Sequence, residues 1–297
     1  MRSLALALVV ATLLTACVGD ADDPVQTLTT GTASPTQTPQ RPVAGEPAAS
    51  PSPEGSSAPA AGTATEAPDW LGTRVLPEGA SGFGTVVPTP PELVDRRIVT
   101  TDLLPPPAGE AFEFELGPVP DAVLARSTWQ EACPVTAAEL AYVTVAFWGF
   151  DDRPHTGELL VAASVAEDVV EVFRTAFEAR FPIEEMRIVT PEELDAPPTG
   201  DGNNTTAFVC RPVRGSQRWS QHAYGLAVDV NPFHNPYVKG ALVLPELASA
   251  YTDRSWERPG MLREDGPVVS AFDDAGWHWG GRWDEPVDLM HFSRDGG

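Results

Sequence analysis

The feature that most limits what this chain can fold into is a long stretch, residues 17–68, without aromatic residues or any apolar period. It is rich in Pro, Ala, Ser, Thr and Gly. Such a composition cannot bury enough apolar surface to offset the entropy of ordering the chain. We therefore predict a disordered linker over 17–68, which confines folding to the residues after it. A tether of this length spans about 40 Å as a random coil. A spacer with no further role is the alternative.

The N-terminus has the pattern of an export signal. Arg2 precedes an apolar run over 4–14, which is too short to cross a membrane and typical of a signal-peptide core. Small residues then lead to Cys17, in a pattern that resembles a bacterial lipobox. We predict a signal peptide over 1–16 and a lipidated Cys17. The protein would then lie on the outer face of the cell membrane, facing the cell wall, with the lipid as its sole membrane contact. Ordinary secretion is the alternative.

Charge and cysteine content narrow the function classes. The net charge of −23 and the pI near 4.4 argue against nucleic acid as a partner, because phosphates would repel this surface. Once Cys17 is assigned to the lipid, Cys133 and Cys210 form an even pair in an oxidising compartment, which favours a disulfide. Two buried thiols, or two metal ligands, are the other interpretations. Nothing in the sequence predicts an oligomer, and we expect a monomer.

The remaining chain predicts an α+β fold, a single domain with one central antiparallel sheet and a few packing helices. Proline stays frequent over 69–124, so we expect an extended lead-in with a half-buried strand at 112–116. The folded domain proper is expected over 125–297. Its predicted elements are a short helix at 136–140, a hairpin of strands 142–148 and 158–162 around a turn at 151–157, a helix after a Ser164/Glu167 capping box, strands at 186–189 and 226–230, a polar loop at 191–205, and a helix at 266–275.

Two metal-ligand types stand close together at 220–229. His222 and Asp229 are separated by Gly225, which lets the chain reverse, and the small Ala227 leaves room beside the carboxylate. Two ligands alone would also fit a structural metal site or no metal.

Only five histidines are available as further ligands. His155 lies in the predicted hairpin turn, where we expect it to be solvated, and His234 lies in a Pro/Asn loop, where polar contacts are expected. His278 stands between two tryptophans, which favours a core or interface role over metal ligation. His222 and His291 remain.

The pattern Ser-x-His-x-x-Gly-x-Ala-x-Asp at 220–229, with Gly-Trp-His-Trp-Gly-Gly at 276–281 and Asp-x-x-His-Phe at 288–292, resembles the zinc motifs of the M15 peptidase family. That family comprises bacterial D,D-carboxypeptidases and L-alanyl-D-glutamate endopeptidases of peptidoglycan. The second half is most similar to the group of the family that includes phage endolysins. The resemblance covers about 125–297.

The resemblance implies a role for each matching residue. It implies one zinc ion, bound by His222, Asp229 and His291, with Asp288 as the catalytic acid and base. It also implies that Arg211 and Ser220 serve substrate binding, with Ser220 bracing the ligand loop. Ser293 departs from the pattern, because many members have a glutamate after the His-Phe pair.

The chemistry of these residue types agrees with that function. Two imidazoles and one carboxylate leave a fourth tetrahedral position for water, as in catalytic zinc sites. Zinc lowers the pKa of that water to about 7, and Asp288 can take its proton and return it to the leaving amine. Asp284 and Glu285 are competing candidates for the base.

The sequence thus predicts a zinc peptidase that cleaves peptidoglycan stem peptides, with endopeptidase or L,D-type cleavage favoured over removal of terminal D-alanine. A wall-binding lipoprotein with a structural zinc ion is the alternative. A structural lipoprotein without zinc is the third interpretation.

Overall fold

The computed structural model describes residues 63–79 and 82–296. The predicted signal peptide, Cys17 and nearly all of the predicted linker lie outside the described residues and stay predictions. No helix in the described ranges has the length and apolar character needed to cross a membrane.

The described chain is a mixed α and β domain, as predicted. The strands are β1 Phe114–Pro118, β2 Leu140–Trp148, β3 Pro154–Ala162, β4 Glu185–Met186, β5 Asn204–Thr205, β6 Ala227–Asp229, β7 Tyr237–Lys239, β8 Leu242–Leu244, β9 His278–Trp279, β10 Val287–Asp288 and β11 His291–Ser293; the helices are α1 Asp121–Arg126, α2 Ala166–Glu178, α3 Pro191–Leu194 and α4 Pro267–Asp274. The predicted single sheet is instead divided into three antiparallel three-stranded sheets, β1-β2-β3, β10-β7-β8 and β6-β11-β9, and one parallel pair, β4-β5.

The largest core lies between the β1-β2-β3 sheet and α2. Strands β2 and β3 pair along their whole length, from Leu140 opposite Ala162 to Trp148 opposite Pro154. The predicted apolar face of α2 packs against them. The predicted capping box does not form, because a 3-10 turn over Ala163–Val165 precedes the helix and makes Val165 its N-cap.

The turn of this hairpin is shorter than the sequence indicated. Strand β3 begins at Pro154, so His155 lies in a strand and only 2 % of it is exposed. Its Nδ1 is 2.7 Å from Asp102 Oδ1 and its Nε2 is 3.0 Å from Asp151 Oδ1. The prediction of a solvated His155 was wrong, because Asp102, from the lead-in, covers it.

The lead-in is part of the folded body. Leu93 and Ile98 are buried against Phe233 and Tyr251 in a second core. The predicted strand at 112–116 is present as β1, displaced by two residues. Its predicted buried face was wrong, since Phe114 and Leu116 stay 47 % and 39 % exposed on this edge strand.

The predicted disulfide between Cys133 and Cys210 is confirmed. It ties the segment that leads into the 220–229 motif to the loop before β2. The β6-β11-β9 sheet packs on α4, where the rings of Phe272 and Phe292 stack 3.9 Å apart. These contacts fix the framework on which the predicted ligands lie.

Candidate metal centre

Strands β6 and β11 place two of the predicted ligands opposite each other. In their antiparallel register His291 is the partner of Asp229, and Phe292 is the partner of Val228. Because side chains alternate between the faces of a strand, burial of Val228 and Phe292 in the core turns Asp229 and His291 to the other face. Asp229 and His291 therefore lie together on the face of the sheet that points away from the core.

The third predicted ligand comes from a short 3-10 turn, Gln221–Tyr224. Ser220 caps this turn, and its Oγ accepts a hydrogen bond from the His222 amide at 3.4 Å. The turn ends at Gly225, whose φ is 67°. A Cβ at this glycine would lie 2.8 Å from the carbonyl carbon of Val161. Both the backbone conformation and the close approach to β3 therefore require glycine here.

The three side chains converge on one point. His222 Nε2 is 3.2 Å from Asp229 Oδ2, and His291 Nδ1 is 3.0 Å from Asp229 Oδ1. One ligand atom from each residue lies within 4.8 Å of the others. Donor atoms around a tetrahedral zinc ion are about 3.3 Å apart, given metal–ligand distances of about 2.0–2.1 Å. The spacing therefore fits such an ion.

The hydrogen bonding of His222 also supports a metal ion at this point. Its Nδ1 is 2.6 Å from the carbonyl oxygen of Ala207, which can only accept, so Nδ1 carries a proton and donates it. In a neutral ring Nε2 then presents a lone pair to the Asp229 carboxylate. Two lone pairs at 3.2 Å repel each other unless a proton or a metal cation lies between them. A backbone carbonyl that orients a ligand histidine in this way is usual around protein-bound metals.

Asp229 is anionic in this setting. Burial alone would raise its pKa, but His222 and His291 hold the pKa of this carboxyl well below its ordinary value. A permanently charged carboxylate between two imidazoles is a suitable ligand set for a divalent cation.

Asp288 lies beside the three ligands. It is on β10, and Gly280 packs against it so closely that a Cβ there would lie 2.7 Å from the Asp288 carbonyl oxygen. Its Oδ1 is buried and has no hydrogen-bond partner in the described structure. Burial, and then the nearby Asp229 charge, raise the pKa of Asp288 to about 7, although His291 and Arg211 act in the opposite direction.

Arg211 is a further charged residue near the metal ligands and Asp288. It lines the same cleft as the ligands. Burial lowers the pKa of Arg211, and the charges of Asp229 and Asp288 raise it in part. The competing bases, Asp284 and Glu285, are both exposed. Neither is among the residues that line the cleft around the ligands.

The remaining histidines do not join the ligands. His234 is buried and makes polar contacts, as predicted, with Nε2 3.0 Å from the Arg96 carbonyl oxygen. Burial lowers the pKa of His234 to about 3. His278 is exposed, so a core role is excluded, although its two tryptophan neighbours are buried. Ser293, which replaces the glutamate of the motif, is buried with no partner for its Oγ in the described structure.

The three ligands lie in an open cleft of about 2010 Å³. Its walls include lead-in residues 71–73, the loop 193–203 and strand β7. No sequence pattern marks these walls, because they reach the ligands only through long-range contacts. Tyr237 of β7, the register partner of Asp288, is one residue that sequence reasoning did not single out.

Comparison with known proteins supports the family resemblance. Residues 214–294 match the family model of D-alanyl-D-alanine carboxypeptidase, peptidase family M15. The matched span includes His222, Asp229, Asp288 and His291, whereas Arg211 lies outside it. No curated protein and no solved structure matches the chain. The match supports a peptidase of the M15 type over a shorter span than the sequence motifs indicated.

Proposed function

We propose that this protein is a zinc-dependent peptidase that hydrolyses peptide bonds in peptidoglycan stem peptides. The observation that carries this proposal is the convergence of His222, Asp229 and His291 on one point, beside the buried carboxylate of Asp288. The match to D-alanyl-D-alanine carboxypeptidase supports the reaction class.

His222, Asp229 and His291 would hold the ion and leave a fourth position open to the cleft. When bound there, zinc supplies a water molecule with a pKa near 7 and polarises the peptide carbonyl. The three side chains need little rearrangement to bind it, because the Ala207 carbonyl and the β6–β11 register already fix two of them.

Asp288 is the proton carrier in this proposal. A carboxyl whose pKa is near the working pH can accept the proton of the attacking water and return it to the leaving amine. The buried Oδ1 has no competing partner in the described structure, so it is available for this transfer. Asp288 lies three residues before His291, close to the ion without ligating it.

Arg211 and Ser220 have different roles. Arg211 lies in the field of Asp229 and Asp288, where its guanidinium can bind the substrate carbonyl or a nearby carboxylate. Ser220 acts through the amide of His222, so we assign it to positioning of the ligand turn.

The size of the cleft supports cleavage within an extended peptide. Pockets for compact ligands have volumes of about 300–1,000 Å³, and this cleft of about 2010 Å³ is larger. We therefore propose L-alanyl-D-glutamate-type endopeptidase activity ahead of removal of terminal D-alanine. The proposed location is the outer face of the membrane, with the protein anchored as a monomer through Cys17.

The test is digestion of purified muropeptides by the zinc-loaded protein, with and without a chelator, and with products identified by mass spectrometry. We expect chelator-sensitive cleavage, and a loss of about 10²–10⁴-fold in kcat for Asp288→Asn with bound zinc retained. Asp284→Asn is the matched control and should keep full activity.

Absence of chelator-sensitive cleavage by the native protein, or an active Asp288→Asn variant, would refute the proposal. Peptide binding without turnover, together with unfolding on zinc removal, would support the wall-binding alternative.

A further inference from the structure

Two of the cations that line the cleft differ from the other described cations in having no contact for their side chains. The chain has a net charge of −23, and most described arginines contact a carboxylate. Others contact carbonyl oxygens or aromatic rings. Arg218 and Lys239 are the two described cations whose side chains have no such contact. Both are exposed, and both line the cleft that contains the metal ligands.

Arg218 lies on a small hairpin, residues 211–219, next to His222. Pro212 and Trp219 form a β-bridge, and the Val213 amide donates to the Arg218 carbonyl oxygen at 2.8 Å. The disulfide of Cys210 fixes the start of this hairpin, and the Ser220 amide, bonded to the Arg211 carbonyl oxygen at 3.2 Å, fixes its end. The hairpin that carries Arg218 is therefore fixed at both ends, next to the turn that presents His222.

Lys239 lies on β7, the strand that pairs with the Asp288 strand β10. Tyr237 is the register partner of Asp288 in the β7–β10 pair, so their side chains share one face. Lys239 is two residues further along β7 and lies on the same face as Tyr237. The residues that line the cleft alternate in the same way, since Tyr237 and Lys239 line it and Val238 does not.

Most carboxylates of the cleft are already engaged. Glu184 pairs with Arg96, and Glu193 pairs with Arg187. Glu246 accepts a hydrogen bond from the Gly84 amide at 2.6 Å. Arg218 and Lys239 therefore face the cleft, and no carboxylate of the described residues pairs with either of them.

We propose that Arg218 and Lys239 bind carboxylate groups of the peptide substrate, one from the hairpin next to His222 and one from the strand that pairs with β10. The cleft thereby selects an acidic peptide over its amidated form. The inference rests on the proposed function, because stem peptides carry free carboxylates on D-glutamate and at their C-terminus. Charge-assisted hydrogen bonds from Arg218 and Lys239 to these carboxylates are strong enough to favour the acidic peptide.

The test is binding by the zinc-loaded full chain of a synthetic peptide, L-Ala-γ-D-Glu-L-Lys-D-Ala-D-Ala, and of the same peptide with its carboxyls amidated. In an Asp288→Asn background, calorimetry measures Kd without turnover. We expect Lys239→Gln and Arg218→Gln each to reduce the preference for the acidic peptide by about tenfold, and Lys239→Arg to retain it. Arg153→Gln is the control, since Arg153 is exposed on the β2–β3 turn, outside the cleft lining, and carries the same charge.

An unchanged preference in both glutamine variants, or an equal loss in Arg153→Gln, would overturn the inference. Cleavage of the two peptides by the zinc-loaded protein with Asp288 intact separates this result from the proposed function. If neither peptide is cleaved, the proposed function fails while the Kd ratio still decides the role of the two cations. If cleavage occurs and the glutamine variants keep the native Kd ratio, only the inference about the cations fails.

Discussion

The environment of Asp288 predicts a trade between stability and activity that can be measured directly. Its pKa is raised from 3.8 to about 7 in the folded protein, whereas the unfolded chain ionises near 3.9. Between these values the folded state holds a proton that the unfolded state has released, so the free energy of unfolding falls as pH rises from about 4 to about 7. A shift of about three units corresponds to as much as about 4 kcal/mol, at 1.36 kcal/mol per unit.

Asp288→Asn removes this penalty because the amide has the same shape and no charge. We expect the metal-free variant to be more stable than the native protein by about 2–4 kcal/mol at pH 8, and the difference to shrink towards zero near pH 4. The measurement is urea unfolding of both proteins in chelator at several pH values. Comparing the two proteins at each pH cancels the titration of groups that do not interact with Asp288.

A stability difference between the two proteins that is the same at pH 4.5 and pH 8 would refute the reasoning, because it would show that Asp288 does not titrate between those values. The variant should also lose turnover, as proposed above. A carboxylate kept in a site that destabilises it is expected where function requires it.

Two further predictions concern the framework of the site. Replacing Cys133 and Cys210 by Ala removes a cross-link between positions 77 residues apart and should cost up to about 4.5 kcal/mol in urea unfolding; stability equal to that of the native protein would contradict the predicted role. Gly280→Ala places a Cβ 2.7 Å from the Asp288 carbonyl oxygen and should lower kcat about 10- to 100-fold with zinc content unchanged. Gly202→Ala is the control, since Gly202 lies in the same cleft with no atom within 4 Å of its new Cβ. Equal kinetics in both glycine variants would argue against a role for Gly280 in positioning Asp288.

The parts of the site that could be predicted are those set by local sequence. The spacing from His222 to Asp229 places a turn, a positive-φ glycine and a strand in succession, and period-2 alternation then fixes which way Asp229 faces. The apolar face of α2 was predicted for the same reason, since a 3.6-residue period is visible without knowledge of any partner.

Predictions that depended on distant partners were less successful. His155 was expected to be exposed to solvent because its neighbours in sequence are typical of a turn. In the structure Asp102, 53 residues earlier in the chain, contacts its imidazole instead. A single sheet was expected, but the order of strands along the chain does not determine which edges pair. The lead-in showed no sign of its second core, because Leu93 and Ile98 acquire their burial from Phe233 and Tyr251.

The sequence by itself therefore determined which residue types could bind a metal ion and how His222 and Asp229 are presented, because both depend on neighbours within a few positions. Only the tertiary structure decided that His291 lies opposite Asp229, that the Ala207 carbonyl fixes the proton on His222, and that Oδ1 of Asp288 is buried beside them. The physical reason is that register, burial and local charge arise from long-range packing, which the order of residues along the chain does not display.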